Sequence, residues 1–313
     1  MEAVPARDAR AEAAERARTL RGADCEVRIL EPAPPAVDEP PWFADHEPAG
    51  ERIVSPFGAL ELRWETLAAE DPSLRRWCEE RWLGPYRRLA ALPAHFASTR
   101  DALHELAEQV ISPAREQANT KIGLRWTLGG FGTPFFADDV QVRVEHGALV
   151  VQKRASATRA PITTLQAARE LLGDLAAPAR NNASTGVLEV DPAAATALGD
   201  WFGFATSVLE ELRYGVKDAV TQLWPEHFDV SVELGSEGAG QRAGYGSSPG
   251  DDEHPVPYLY VAPWGQTPEG DRWQAIGFSG AELGYDALLA TDDQRGLALA
   301  FYRGALADLA AAR

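Results

Sequence analysis

His227-Phe228-Asp229, followed further along by Asp251-Asp252-Glu253-His254, is the densest group of titratable side chains in the chain. On a strand, side chains two apart point to the same side, so His227 and Asp229 are expected to face one another's surroundings. A carboxylate that orients His227 tunes its basicity, which is what a general base near neutral pH needs. The acid and His group beyond a hairpin loop would extend the pair to a three- or four-ligand set for zinc or iron. Against that stands a plainer reading: Glu226 and His227 at a strand entrance, and Asp251 to His254 as a polar turn before Pro255. No fixed metal-ligand spacing is present, so no metal is assigned. His227 and Asp229 remain the candidate catalytic residues.

Two glycine-rich stretches flank this group. Gly129-Gly130-Phe131-Gly132-Thr133-Pro134 and Gly244-Tyr245-Gly246-Ser247-Ser248-Pro249-Gly250 both combine glycines with hydroxyls and an aromatic ring. They read as loops whose backbone amides approach a ligand, with Phe131, Thr133, Tyr245 and Ser247 as contacts. Glycine in strand-rich regions also marks turns and bulges. Neither stretch carries a nucleotide fingerprint, and Gly277-Phe278-Ser279-Gly280 misses the serine-hydrolase frame. Lys121 and Arg125, four apart on an alternating segment, are expected to share a strand face and to suit a carboxylate or phosphate. No cofactor is named by any motif.

The run Leu223-Trp224-Pro225-Glu226-His227-Phe228-Asp229-Val230 continues, after an insertion, with Gly246 to Gly250, Asp251, Pro255, Pro257, Tyr258 and Tyr260. Together with Gly277-Phe278-Ser279-Gly280-Ala281, these residues resemble the bacterial domain-of-unknown-function family 5996. The resemblance covers the C-terminal third, with a looser echo around Lys121 to Leu128. It implies a site including His227, Asp229, Asp251, Tyr258 and Tyr260, and it implies no reaction. Glu253 and His254 fall outside the pattern, which sets His254 below His227 as a candidate.

Positioning these residues requires a sheet. The spacing predicts an α+β fold with a mixed or antiparallel sheet from about residue 121 onward, packed by helices and preceded by an N-terminal helical region. Residues 1–50 read as an arm and proline-rich linker, with a short strand at Cys25 to Leu30. Residues 51–116 read as helical, with one helix opening at Asp71-Pro72 and a second from Thr99 to Val110, stopped before Pro113. Residues 117–313 form the body. There Val140 to Val151 predicts a hairpin about His146-Gly147. Thr163 or Thr164 caps a helix ended by Gly173, and Asp191-Pro192 opens another. Phe228 to Leu234, Tyr258 to Val261 and Gln274 to Phe278 read as strands, and Asp292-Asp293 caps a terminal helix. Gly130-Phe131-Gly132-Thr133 echoes Gly244-Tyr245-Gly246-Ser247, so the body admits two similar halves, 117–190 and 220–313.

Composition narrows the class. The 47 acidic and 30 basic residues leave a net charge of −17, a field that repels phosphate backbones and anionic membranes. Basic residues occur singly or in pairs, so neither nucleic acid nor membrane is an expected partner. The three lysines against many arginines and alanines suit a high-GC bacterial genome. No signal segment opens the chain and its two cysteines lack metal or redox spacing, which predicts a cytoplasmic protein with free thiols. The leading expectation is small-molecule binding near Trp224 to Tyr260, with or without catalysis. Its rivals are an interaction or scaffold protein and a metal-dependent enzyme built on His227 and Asp229.

Overall fold

The computed structural model describes residues 88–311, apart from 128, 135, 137–139, 154–155, 179–185, 214–215 and 217–218, together with three strands nearer the N-terminus. Those strands, β1 (Arg28–Leu30), β2 (Arg52–Ser55) and β3 (Gly58–Arg63), form an antiparallel sheet in that order. β1 falls within the strand expected at Cys25 to Leu30. β2 and β3 correct the expectation of helix across 51–116. Leu60-Glu61-Leu62-Arg63 alternates with period two, and that pattern outweighs helix propensity when a partner strand is at hand. The proline-rich linker and the Asp71-Pro72 helix lie outside the described residues.

Two five-stranded antiparallel meanders make up the body. The first is β4 (Arg125–Thr127), β5 (Gly130–Gly132), β6 (Val140–Glu145), β7 (Ala148–Lys153) and β8 (Ser156–Pro161). The second is β9 (Gln222–Trp224), β10 (Asp229–Leu234), β11 (Ala243–Ser248), β12 (Tyr258–Pro263) and β13 (Ala281–Gly284). Their first strands meet at the bridge Leu124↔Leu223, where each N–H donates to the other's carbonyl at 2.7 and 2.9 Å. Both leucines are buried, so the join is apolar.

Local chemistry accounts for most elements. The β6–β7 hairpin turns at His146 and Gly147, which both have positive φ (48° and 74°), as a two-residue turn matched to strand twist demands. Thr164 Oγ1 accepts from the Ala167 N–H and opens α3 (Leu165–Leu172), while Asp191 Oδ1 accepts from Ala194 and opens α4 (Pro192–Leu212). α4 is buried on every side from Trp201 to Glu210. A helix apolar all round belongs in the interior, and α4 packs against β4 and β5 of one meander and β10 and β11 of the other. α5 (Tyr285–Leu289) and α6 (Gln294–Ala311) follow β13, and Asp293 Oδ1 accepts from the Gly296 N–H at the start of α6.

Three expectations are corrected here. α1 (Phe96–Leu106) does not stop before Pro113; it passes through a π turn (Ala107–Ile111) into α2 (Ser112–Asn119), with Pro113 inside. Proline cannot donate to the carbonyl four residues back; the π turn moves the ladder to i→i+5 ahead of it, as in Ser112 N–H to Ala107 O, and Gln109 O also accepts from Arg169 Nη2 at 3.3 Å. The two glycine-rich stretches are not loops, because Gly130–Gly132 is β5 and Ala243–Ser248 is the central strand β11. Gln274 to Phe278 is not a strand: Ala275 N–H donates to Gly280 O at 3.1 Å, closing the segment on itself. Among the described residues no helix is long and apolar enough to cross a membrane.

Candidate functional site

The second meander has a helix-covered face and an outer face. Val232, Tyr245 and Val261 are cross-strand neighbours on the first, all buried. Ser231, Gly246, Tyr260 and Glu282 are neighbours on the second. Asp229 precedes Ser231 by two and so shares the outer face.

How Asp229 gets there begins one residue earlier. Phe228 has φ +54°, a conformation that is a genuine outlier for a bulky side chain. Such a residue costs on the order of 1–3 kcal/mol and persists only where its surroundings hold it. Here the ring is fully buried, stacked on His104 with centroids 5.0 Å apart and edge-on to Phe131 and Phe202 at 5.0 and 5.3 Å. Burying a phenylalanine contributes about 1.5–3 kcal/mol, enough to offset the strain. His104 Nε2 also lies 2.9 Å from Pro225 O, which ties α1 to the same turn.

The turn corrects the expected His227–Asp229 geometry. The strand starts at Asp229, so His227 sits on the preceding turn, solvent-exposed, and the same-side rule does not apply to it. Among the described residues no hydrogen bond joins the two; His227 acts on Asp229 only through its charge.

Asp229 itself is 3% exposed. Its Oδ2 accepts from the Tyr260 hydroxyl, whose ring reaches β10 by lying across Gly246. A Cβ at Gly246 would fall 2.5 Å or less from the ring's Cζ, Oη and Cε1 atoms, so the position has room for glycine alone. The other carboxyl oxygen, Oδ1, is buried and has no hydrogen-bond partner among the described residues. Burial raises the Asp229 carboxyl above its ordinary 3.8, against the opposing pull of the Tyr260 hydrogen bond, the His227 charge and its own backbone N–H. Burial, then the Asp229 charge, lifts Tyr260 well above 10, so the phenol stays protonated and donates.

A second polar group adjoins the first. Tyr258 donates to Asp251 Oδ2 at 3.0 Å, and Asp251 Oδ1 accepts the N–H groups of Glu253 and His254 at 2.8 and 2.7 Å. The His254 ring stacks on Tyr258 with centroids 4.2 Å apart. Its Nδ1 lies 3.3 Å from Asp251 Oδ1 and its Nε2 3.1 Å from Glu282 Oε2. Burial pushes the Asp251 carboxyl up, but the His254 N–H, the Tyr258 hydroxyl and the Glu253 N–H outweigh it, and the net shift is downward. Phe278 closes the group, 6.5 Å from the Tyr258 ring and 6.1 Å from that of Tyr260.

Of the residues singled out from sequence, Asp229, Asp251, Tyr258 and Tyr260 therefore converge. Tyr245 and Ser247 do not: they face the helices, where Tyr245 packs on Tyr302 at 6.0 Å and the Tyr302 hydroxyl lies 3.0 Å from Ser247 Oγ. Phe131 belongs to the core around Phe228, and Thr133 is spent on Val142, whose N–H donates to its Oγ1 at 3.0 Å. Lys121 and Arg125 do not share a strand, because β4 begins at Arg125. Arg125 is buried, and lines a cavity of about one water's size with Trp126, Thr206, Thr221, Gln222, Leu223 and Val230.

Sequence reading missed Ser231, Phe278 and Glu282, and set His254 too low. Ser231 follows from period two once Asp229 is placed on a strand. His254 was ranked below His227 for lying outside the family pattern, and Glu282 enters only through the β12–β13 register. Among the described residues no group of three or more His, Cys, Asp or Glu side chains is arranged to hold a metal ion. Comparison with family models, curated proteins and solved structures found no match to this chain, so the reading of the site rests on its geometry.

Proposed function

We propose that this protein binds a small molecule on the outer face of the second meander, with Asp229 and Tyr260 as its polar anchor. One observation carries the reading: a buried carboxyl oxygen without a partner among the described residues. Leaving such an acceptor unsatisfied costs about 1–3 kcal/mol, more when it is charged, and a ligand donor would recover that. Aromatic rings beside a few convergent polar groups are also the usual lining of a ligand site.

Acid–base catalysis is a second reading, favoured by the upward shift of Asp229, which holds its proton to higher pH than an ordinary carboxyl. Thermal-shift screening of a metabolite panel tests the primary reading. At least one compound should raise the Tm of the wild type and of H227A, and leave that of D229N unmoved. A panel in which no compound separates wild type from D229N sinks the reading.

A further inference from the structure

We infer that the ligand of this face is a small cation, an alkylammonium or guanidinium compound, held by Asp229 and bordered by the rings of Tyr258, Tyr260 and Phe278. The inference rests on the Asp229 reading above and adds the charge class.

Charge comes first. Facing or bordering the outer face are Glu226 and His227 on the turn, Asp229 on β10, Asp251 to His254 on the loop after β11, and Glu282 on β13. Six of these are carboxylic acids and two are histidines. The guanidinium of Arg100, which packs on Gly250, is paired with Asp101 at 2.7 Å, and that of Arg242 at the end of the face with Glu233 and Glu237, so neither adds much positive field. An anion entering here would meet like charge; a cation is drawn in, and the chain's net −17 steers it from a distance.

The orphan oxygen gives the second, independent reason. A neutral donor would satisfy Asp229 Oδ1, but a charged donor forms a bond about twice as strong and also offsets the cost of holding a carboxylate away from water. The rings supply the third. Tyr258, Tyr260 and Phe278 stand 6.1 to 6.5 Å from one another, and aromatic faces attract ammonium and guanidinium groups. Tyr258 and Tyr260 donate their hydroxyls to carboxylates, and His254 and Gly246 each cover one ring face, so what they offer a ligand is the opposite face of each ring.

Three matched probes decide the matter by calorimetry: 1,4-diaminobutane, 1,4-butanediol and succinate, against wild type, D229N, E282Q and the distant control D174N. The expected result is binding of the diamine alone, weakened about tenfold in D229N, about two- to fivefold in E282Q and by raising salt from 50 to 300 mM, and unchanged in D174N. If D229N fails to fold, the graded loss in E282Q and in salt carries the test. Diol bound as tightly as diamine, with D229N still weakening it, overturns the charge class and leaves the Asp229 site standing. Succinate binding overturns the charge class as well. No Asp229-dependent binding of any probe overturns both readings.

Discussion

Replacing Gly246 by alanine probes the centre of the site without removing a titratable group. The new methyl would stand 2.5 Å or less from three atoms of the Tyr260 ring, where ordinary contact begins at 3.4 Å. The ring must therefore move by about an ångström, and its hydroxyl bond to Asp229 is weakened by the poorer alignment. Forcing one carbon into a filled space costs about 1–3 kcal/mol. A hydrogen bond to a carboxylate contributes about 1.5–3 kcal/mol. Alanine in a strand regains about 0.5–1 kcal/mol over glycine. The balance is a destabilisation of about 3 kcal/mol. The cycle with Y260A isolates the cause: once the ring is gone, G246A should be neutral or stabilising, a coupling of about 3 kcal/mol. Urea unfolding of the four proteins, with m-values compared, measures it. A G246A protein within about 1 kcal/mol of wild type, or an equal cost in both backgrounds, would refute the account of why glycine stands there.

The two aspartates should respond to pH in opposite senses. Asp229 holds its proton more tightly folded than unfolded, so its contribution is fully present below 3.8 and is lost as pH rises through the raised value. Asp251 is lowered, so its contribution is present above 3.8 and is lost as pH falls through the lowered value. Stability of D229N measured against pH should therefore be flatter on the upper side and exceed wild type at neutral pH; a parallel offset at every pH contradicts this. H227A should change stability by less than about 0.5 kcal/mol in chemical denaturation, as an exposed turn residue does. R169M should cost about 1 kcal/mol, because Gln109 O then loses the Arg169 bond. Valine at Gly147 should cost more than about 1 kcal/mol by straining the positive-φ hairpin turn, whereas H146N should be tolerated, both read from Tm.

Elements with a local signature were legible beforehand. The caps at Thr164, Asp191 and Asp293, the His146-Gly147 turn and the period-two runs of β6, β7, β10 and β12 all follow from neighbouring residues. The readings that failed concern residues whose state is set across the chain. Pro113 stops a helix unless a π turn ahead of it resets the ladder, here with Arg169 bonded to Gln109 O. Gly244 to Gly250 looks like a loop until Tyr260, on another strand, is seen to occupy the space a side chain would fill. Lys121 and Arg125 look paired until the bridge at Leu124 and Leu223 fixes where the strand begins.

The same division runs through the site. Sequence by itself determined the chemistry on offer: an acidic chain, a cluster of carboxylates, tyrosines and histidines between Trp224 and Glu282, and an α+β body to carry them. Tertiary structure decided which of them meet. His227 is left exposed on the turn while Phe228, in a left-handed conformation, puts its ring in the aromatic core, and Asp229 is buried on β10, where desolvation raises its carboxyl. Cross-strand register, which no local pattern specifies, brought in Tyr260 and Glu282, and with Glu282 came His254. Side-chain type is written residue by residue, but desolvation and hydrogen-bond partnership belong to the packed assembly.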